Sequence, residues 1–167
     1  MASKSFGHRV RFLGAVGTIV AYYAMHVESQ LEQDPFYEPA CNTSWGSCAA
    51  VFTSAYAKPL SLWGLVPAGS AYDLSLAKLG IANYLVYVLY RWCVPWKLLR
   101  RRDAANVLFA LSLGSVGFSV YLLYVLKVIL KDFCIVCTTF HTVNFSMLFF
   151  AVLPERRAAL ADANKSA

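Results

Sequence analysis

Residues 133–153 contain no Asp, Glu, Lys or Arg. A helix needs about 20 predominantly apolar residues to cross a hydrocarbon core of about 30 Å, where its backbone polar groups must be satisfied internally. A chain with such a run is committed to lipid before anything else about it is decided. The mean hydropathy of +0.52 and the 14% share of charged residues fit that environment and lie outside the usual soluble range. The formal net charge of +6 raises nucleic acid as a partner. No basic stripe alternates with aromatics, and an apolar excess of this size has no interior to fill in a small soluble fold, so nucleic acid is excluded.

The sparsely charged windows predict four spans, at about 10–27, 74–96, 104–129 and 133–153. Arg11 can lengthen the short first span by snorkelling, and Lys78 and Arg91 can do the same for the second, which Pro95 ends. The expected fold class is an all-α integral membrane protein: a four-transmembrane-helix bundle forming one domain over 1–167, with a long loop at 28–73 and a tail at 154–167.

Basic residues orient the bundle because they accumulate on the cytoplasmic side. Eleven of the fifteen fall in three alternate segments: Lys4, Arg9 and Arg11; Arg91, Lys97, Arg100, Arg101 and Arg102; and Arg156, Arg157 and Lys165. Both termini are therefore expected in the cytoplasm. The first loop and the short turn holding Lys127, Lys131 and Asp132 are expected in the lumen or outside. No small-x-small cleavage site follows the first span, which reads as a retained signal anchor. Of the sequons, Asn42-Thr43-Ser44 is lumenal on this topology, Asn144-Phe145-Ser146 lies too deep and Asn164-Lys165-Ser166 is on the other side.

The topology sorts the cysteines. Cys41 and Cys48 in the loop and Cys134 and Cys137 at the last span lie on the side where disulfides persist. Cys93 lies toward the reducing side and reads as a small buried apolar side chain. Cys134 and Cys137 would share a face one turn apart, where unpaired backbone N–H groups favour thiolate and Asp132, the expected N-cap, opposes it. Such a dithiol can meet a water-borne disulfide on one side and a lipid-dissolved two-electron acceptor, such as a quinone, on the other. The loop pair alone could be a static staple. Four thiolates could also hold zinc, but Cys-x6-Cys is a poor knuckle spacing and no metal site is expected. Two pairs on one membrane face favour a relay through mixed disulfides.

The stretch "AVFTSAYAKPLSLWGLVPAG" is too apolar for a solvated loop and is broken by Pro59, Gly64, Pro67 and Gly69. It is expected to lie on the membrane as a lid. Leu60, Leu62, Trp63, Leu65 and Val66 would dip into the interface and close the bundle over a hydrophobic ligand.

The cysteine pair followed by "VFTS", the "GLV" segment, and "DFCIVC" followed by Thr, a ring residue and Asn144 resemble the vitamin K epoxide reductase family over roughly residues 10–153. The resemblance implies a warfarin-sensitive type of enzyme in the endoplasmic-reticulum membrane, a target of coumarin inhibitors. It would reduce vitamin K epoxide and vitamin K quinone while oxidising its own thiols, with no permanently bound cofactor and with membrane lipid around it. By the same resemblance Cys137 is the nucleophile facing the quinone and Cys134 its resolving partner, exchanging with Cys48. Cys41 would accept electrons from a thioredoxin-fold lumenal oxidoreductase. Bacterial relatives carry a fused thioredoxin-like domain and none follows Leu153, so the redox partner is expected to be a separate protein. Phe52, Ser54, Trp63, Leu76 and Tyr84 fall in the segments implied to meet the substrate.

Two positions depart from the animal pattern. Leu76 stands where an asparagine is expected eight residues before the tyrosine, and Asp73 or Asn83 replaces it only in another register. His141 stands where a tyrosine is expected four residues after the second motif cysteine. Lying one turn beyond Cys137, it is the candidate polar contact for a quinone carbonyl or epoxide oxygen. The rival role for His141 is a hydrogen bond to another helix in the polar neighbourhood of Thr138 and Asn144. Two other function classes stand beside the reductase. A quinone-linked thiol oxidase for oxidative protein folding would use the same cysteines. A claudin-like four-span adhesion protein would need the loop disulfide but not Cys134 and Cys137.

Overall fold

The computed structural model describes residues 2–44, 46–93 and 100–165. The side chains of Lys4, Arg91, Cys93 and Lys165, and residues Pro95, Trp96, Lys97 and Ser166, on which expectations fall, lie outside the described residues.

Among the described residues every regular element is helical. The elements are α1 (Ala2–Gln33), α2 (Cys48–Phe52), α3 (Pro59–Leu62), α4 (Leu76–Cys93), α5 (Arg101–Tyr124), α6 (Ile135–Ser146) and α7 (Leu153–Lys165). A π-helical turn, Val125–Ile129, extends α5, and another, Met147–Val152, joins α6 to α7. Among the described residues three continuous helices are long and apolar enough to cross a membrane: Gly7–Gln33, Arg101–Ile129 and Ile135–Asn164. Leu76–Tyr90 is a shorter apolar helix.

Two boundaries differ from the sequence expectation. The first loop begins at 34 and not at 28, because α1 continues to Gln33 and carries Glu28 and Glu32 on helix. Asp34 then stops it: the following Pro35 disfavours helix, and the Asp34 side chain accepts the Phe36 N–H at 2.9 Å. At the other end, residues 154–165 prolong the last helix where a separate tail was expected. Pro154 lacks an N–H and its ring would clash with the carbonyl four residues back, and the wider π turn immediately before it relieves both problems.

Helices in lipid associate through close packing of small residues. On α1 a Cβ at Gly17 would sit 2.4 Å from the Tyr84 ring, and one at Gly14 would sit 3.1 Å from Tyr87 Cβ, so α1 and α4 meet almost backbone to ring. On α4 a Cβ at Gly80 would come within 2.8 Å of Phe140 on α6. Polar ties cross the same interfaces. Tyr84 Oη donates to Asn144 Oδ1 at 2.7 Å, and Asn144 Nδ2 donates to Ser119 Oγ at 2.8 Å, which joins α4, α6 and α5. Phe12, Ile19 and Phe150 point outward, each about two-thirds exposed, which suits a lipid-facing surface.

The buried apolar groups form two clusters. One is the bundle core around Val10, Tyr84, Tyr87, Leu108 and Met147. The other lies under the first loop and gathers Ala24, Ala77, Leu126 and Val136 with Cys41, Cys48 and Cys134.

Candidate redox site

Cys41 and Cys48 form a disulfide, with Cα atoms 6.0 Å apart. Cys48 opens α2, whose N-cap Ser47 accepts the Ala50 N–H at 3.1 Å. The same Ser47 donates its backbone N–H to Asp132 Oδ1 at 2.9 Å, which ties the loop to the turn between α5 and α6. Gly46 allows the contact to close, because a Cβ there would lie 2.1 Å from the Phe133 carbonyl oxygen. That turn reverses at Lys131, a non-glycine residue in left-handed backbone with φ 51°, a conformation that costs about 1–2 kcal/mol.

Cys134, and not Asp132, is the N-cap of α6. Asp132 is instead occupied by the Ser47 and Phe133 N–H groups, the latter at 2.7 Å. Cys134 has extended backbone, and its sulfur accepts the Cys137 N–H at 3.3 Å. On its other side the Cys134 sulfur stands 3.3 Å from Cys48 Sγ. Cys48 and Cys134 are fully buried, while Cys137 is half-buried. Cys134 therefore lies between a disulfide and a second free cysteine one helical turn on. A thiolate there can attack Cys48 Sγ and release Cys41, and the reverse exchange uses the same contact.

Cys137 opens onto a cavity of about 460 Å³ bounded by α1, α2, α4, α5 and α6. Of the residues singled out in the sequence, Phe52, Ser54, Leu76 and His141 line it. Tyr84 is fully buried and reaches the cavity wall through Asn144. Trp63 is outside, half exposed, with its ring edge-on to Phe118 on α5 at 5.8 Å between centroids. Leu65 is also exposed.

His141 is 4% exposed and its Nδ1 has no hydrogen-bond partner. The polar neighbours expected for it are engaged elsewhere. Thr138 Oγ1 donates to the Cys134 carbonyl at 2.9 Å, and Asn144 is held by Tyr84 and Ser119.

Sequence reasoning missed two residues of the wall, Phe140 and Glu28, and admitted a third, Asn83, only in another register. Asn83 lines the wall two turns beyond Leu76, accepting from Ser115 Oγ at 3.3 Å. The 3.6-residue period that puts Asn83 on the face of Leu76 could have found it without any shift of register. Phe140 also lines the wall, against Tyr84. Glu28 was assigned to a loop and is in fact a wall residue on α1.

The family model for the vitamin K epoxide reductase family matches residues 10–152. The chain belongs to the vitamin K epoxide reductase family. The vitamin K epoxide reductase complex subunit 1 of Mus musculus is 32% identical over 145 residues, covering 84% of this chain and 86% of the relative. That of Rattus norvegicus is also 32% identical over 145 residues, with the same coverage. Membership in the vitamin K epoxide reductase family, the loop disulfide and the apolar helices together make this a multi-pass membrane oxidoreductase.

Proposed function

We propose that the protein reduces vitamin K epoxide and vitamin K quinone at the lumenal face of the endoplasmic-reticulum membrane, with electrons relayed from Cys41/Cys48 to Cys134/Cys137. The observation that carries this is the 3.3 Å approach of Cys48 to Cys134, with Cys137 opening on the adjoining cavity. A thioredoxin-fold lumenal oxidoreductase, as a dithiol, reduces the Cys41–Cys48 bond through attack on Cys41. The freed Cys48 thiolate attacks Cys134 of an oxidised Cys134–Cys137 pair and releases Cys137. Cys41 then resolves the Cys48–Cys134 bond, which leaves the membrane pair reduced and the loop pair oxidised. Cys137 attacks the substrate, and formation of the Cys134–Cys137 bond completes the transfer of two electrons. With two protons the quinone becomes hydroquinone, or the epoxide becomes quinone plus water.

The orientation follows from the basic residues: both termini cytoplasmic, α4 as the second of four spans, and the first loop lumenal as a lid. Trp63, exposed beside α5, and Leu65, also exposed, suit insertion into the interface. Vitamin K enters as substrate and no cofactor stays bound. A coumarin is a fused bicyclic ring of similar size and would compete for the same cavity.

The test is thiol-driven conversion of vitamin K epoxide and quinone by membranes containing the protein, beside membranes with Cys137→Ala. Conversion of both substrates that is lost in the variant is expected. Quinone-dependent disulfide formation without epoxide reduction would assign the thiol oxidase of oxidative folding instead. Loss of neither activity in Cys137→Ala would remove the redox role.

A further inference from the structure

Two cavities meet at one wall. The cavity beside Cys137 and a second of about 570 Å³ beneath the first loop share Glu28, Phe52, Ser54 and Ala57. Among these four only Glu28 carries an ionisable group, and it is 7% exposed. A carboxyl at such depth is costly and is a functional candidate by default. It is held by the Ser75 side chain, which is itself buried and accepts the Lys78 N–H at 3.4 Å in the first turn of α4. The charged groups acting on Glu28 are Glu32 on its own helix, Lys58 from the loop and Lys78 from α4. Asp73 lines the loop cavity as well. Lys58 pairs with Glu32 at 3.1 Å, and both side chains are substantially exposed, so the loop cavity opens to solvent. Glu28 thus touches a solvent-facing cavity on one side and the apolar redox cavity on the other.

We infer that Glu28 is the proton-transfer group between the loop cavity and the redox cavity, handing one proton to a substrate oxygen in each turnover. The inference rests on the quinone-reductase reading above. Oxidation of the Cys134 and Cys137 thiols to a disulfide releases two electrons and two protons, and a quinone takes up two of each. A quinone carries its two oxygens on opposite sides of a ring, whereas both thiols lie on the one short stretch of chain that opens α6. The oxygen remote from them needs another donor. One thiol proton goes to the near oxygen. Glu28 gives its proton to the remote one and recovers a proton from solvent through the loop cavity, while the second thiol proton leaves to solvent, so two protons are released and two taken up. Its charge is unchanged over the cycle.

The experiment is steady-state kinetics of quinone reduction driven by a small dithiol, across pH, for the wild type, Glu28→Gln, Glu28→Asp and Ser75→Ala. A protonated donor makes wild-type kcat fall on the alkaline side as Glu28 ionises. Glu28→Gln should lower kcat about a hundredfold, in the range of a lost general acid, leave KM within about twofold and abolish that alkaline limb. Glu28→Asp should keep the limb at a reduced rate. Ser75→Ala, which retains the carboxyl, should shift the limb while plateau kcat stays within about threefold. Normal kcat with an unchanged profile in Glu28→Gln overturns the inference, as does a Glu28→Asp protein that lacks the limb. If Glu28→Gln does not accumulate, the other two variants decide, because a merely structural carboxyl predicts that Ser75→Ala loses plateau activity too. A wild type that turns over no quinone defeats the functional reading and not this assignment alone.

Discussion

Cys48 Sγ and Cys134 Sγ lie 3.3 Å apart although the residues are 86 apart in sequence. The contact is built and not incidental. Ser47, next to Cys48, donates to Asp132, two residues before Cys134, and Gly46 lets the backbones close. The loop sulfur is therefore delivered to the one membrane cysteine whose backbone caps a helix, and Cys137 remains free to face the cavity.

This order of sulfurs predicts distinct phenotypes. Cys134→Ala and Cys137→Ala should abolish turnover with any reductant. Cys41→Ala should abolish turnover with a protein donor, retain some with small dithiols, and accumulate a Cys48–Cys134 disulfide detectable by peptide mass mapping. Full activity of Cys41→Ala with a thioredoxin-fold donor would reduce the loop pair to a staple.

Gly46 sets how close the two sulfurs come. Alanine there places a methyl carbon 2.1 Å from the Phe133 carbonyl, so backbone has to shift, at about 1–3 kcal/mol. In the Cys41→Ala background, Gly46→Ala should lower the yield of the Cys48–Cys134 disulfide several-fold while the protein still accumulates. An undiminished yield would mean that the loop reaches Cys134 without this seat.

The last apolar run and the loop disulfide pair were legible because each depends on composition or short spacing. Contacts between distant segments were not. Asp132 has the right chemistry for an N-cap, and only the approach of Ser47 from the loop explains why its carboxylate turns away and leaves the cap to Cys134. Glu28 was misassigned because an ionisable residue near the end of an apolar run reads as the end of the run, whereas α1 continues to Gln33 and buries that carboxyl against Ser75. Helix periodicity could have placed Asn83 with Leu76. It could not have shown that Trp63 would lean on Phe118 and stay outside the cavity.

The loop fold should have an acid limit set by Asp73. The Gly69 N–H, donating at 3.0 Å, and next the Ser61 side chain hold this carboxyl below the usual aspartate range. A folded value below the unfolded one stabilises the fold fully above the unfolded value of ~3.9, and that contribution is lost as pH falls through the lower folded value. Cleavage of the loop by pepsin should thus gain an extra acid step only below about pH 3.9. Asp73→Asn, with no charge to lose, should lack that step. The same step in both proteins would assign it to another group.

His141 supplies the sharpest separation of function from stability. Its ring is buried in the cavity wall one turn beyond Cys137, Nδ1 has no partner, and Thr138 and Asn144 are committed to other groups. An imidazole nitrogen left unpaired at such depth costs about 1–3 kcal/mol, so a purely structural histidine here would be a poor choice. A nitrogen reserved for a substrate oxygen would be satisfied only when a quinone or epoxide is present, and could stabilise charge developing on that oxygen. His141→Phe keeps a planar ring and removes the unpaired nitrogen. It should therefore raise thermal stability slightly while lowering turnover of quinone and epoxide by about 10- to 100-fold. Exchange between Cys48 and Cys134 should be unaffected in that variant. His141→Tyr, with a hydroxyl in place of the nitrogen, should restore turnover and change coumarin inhibition. Thermal unfolding in detergent beside steady-state kinetics of both variants decides it: a His141→Phe protein that is less stable and fully active would make His141 a packing residue and leave the substrate oxygen to another group.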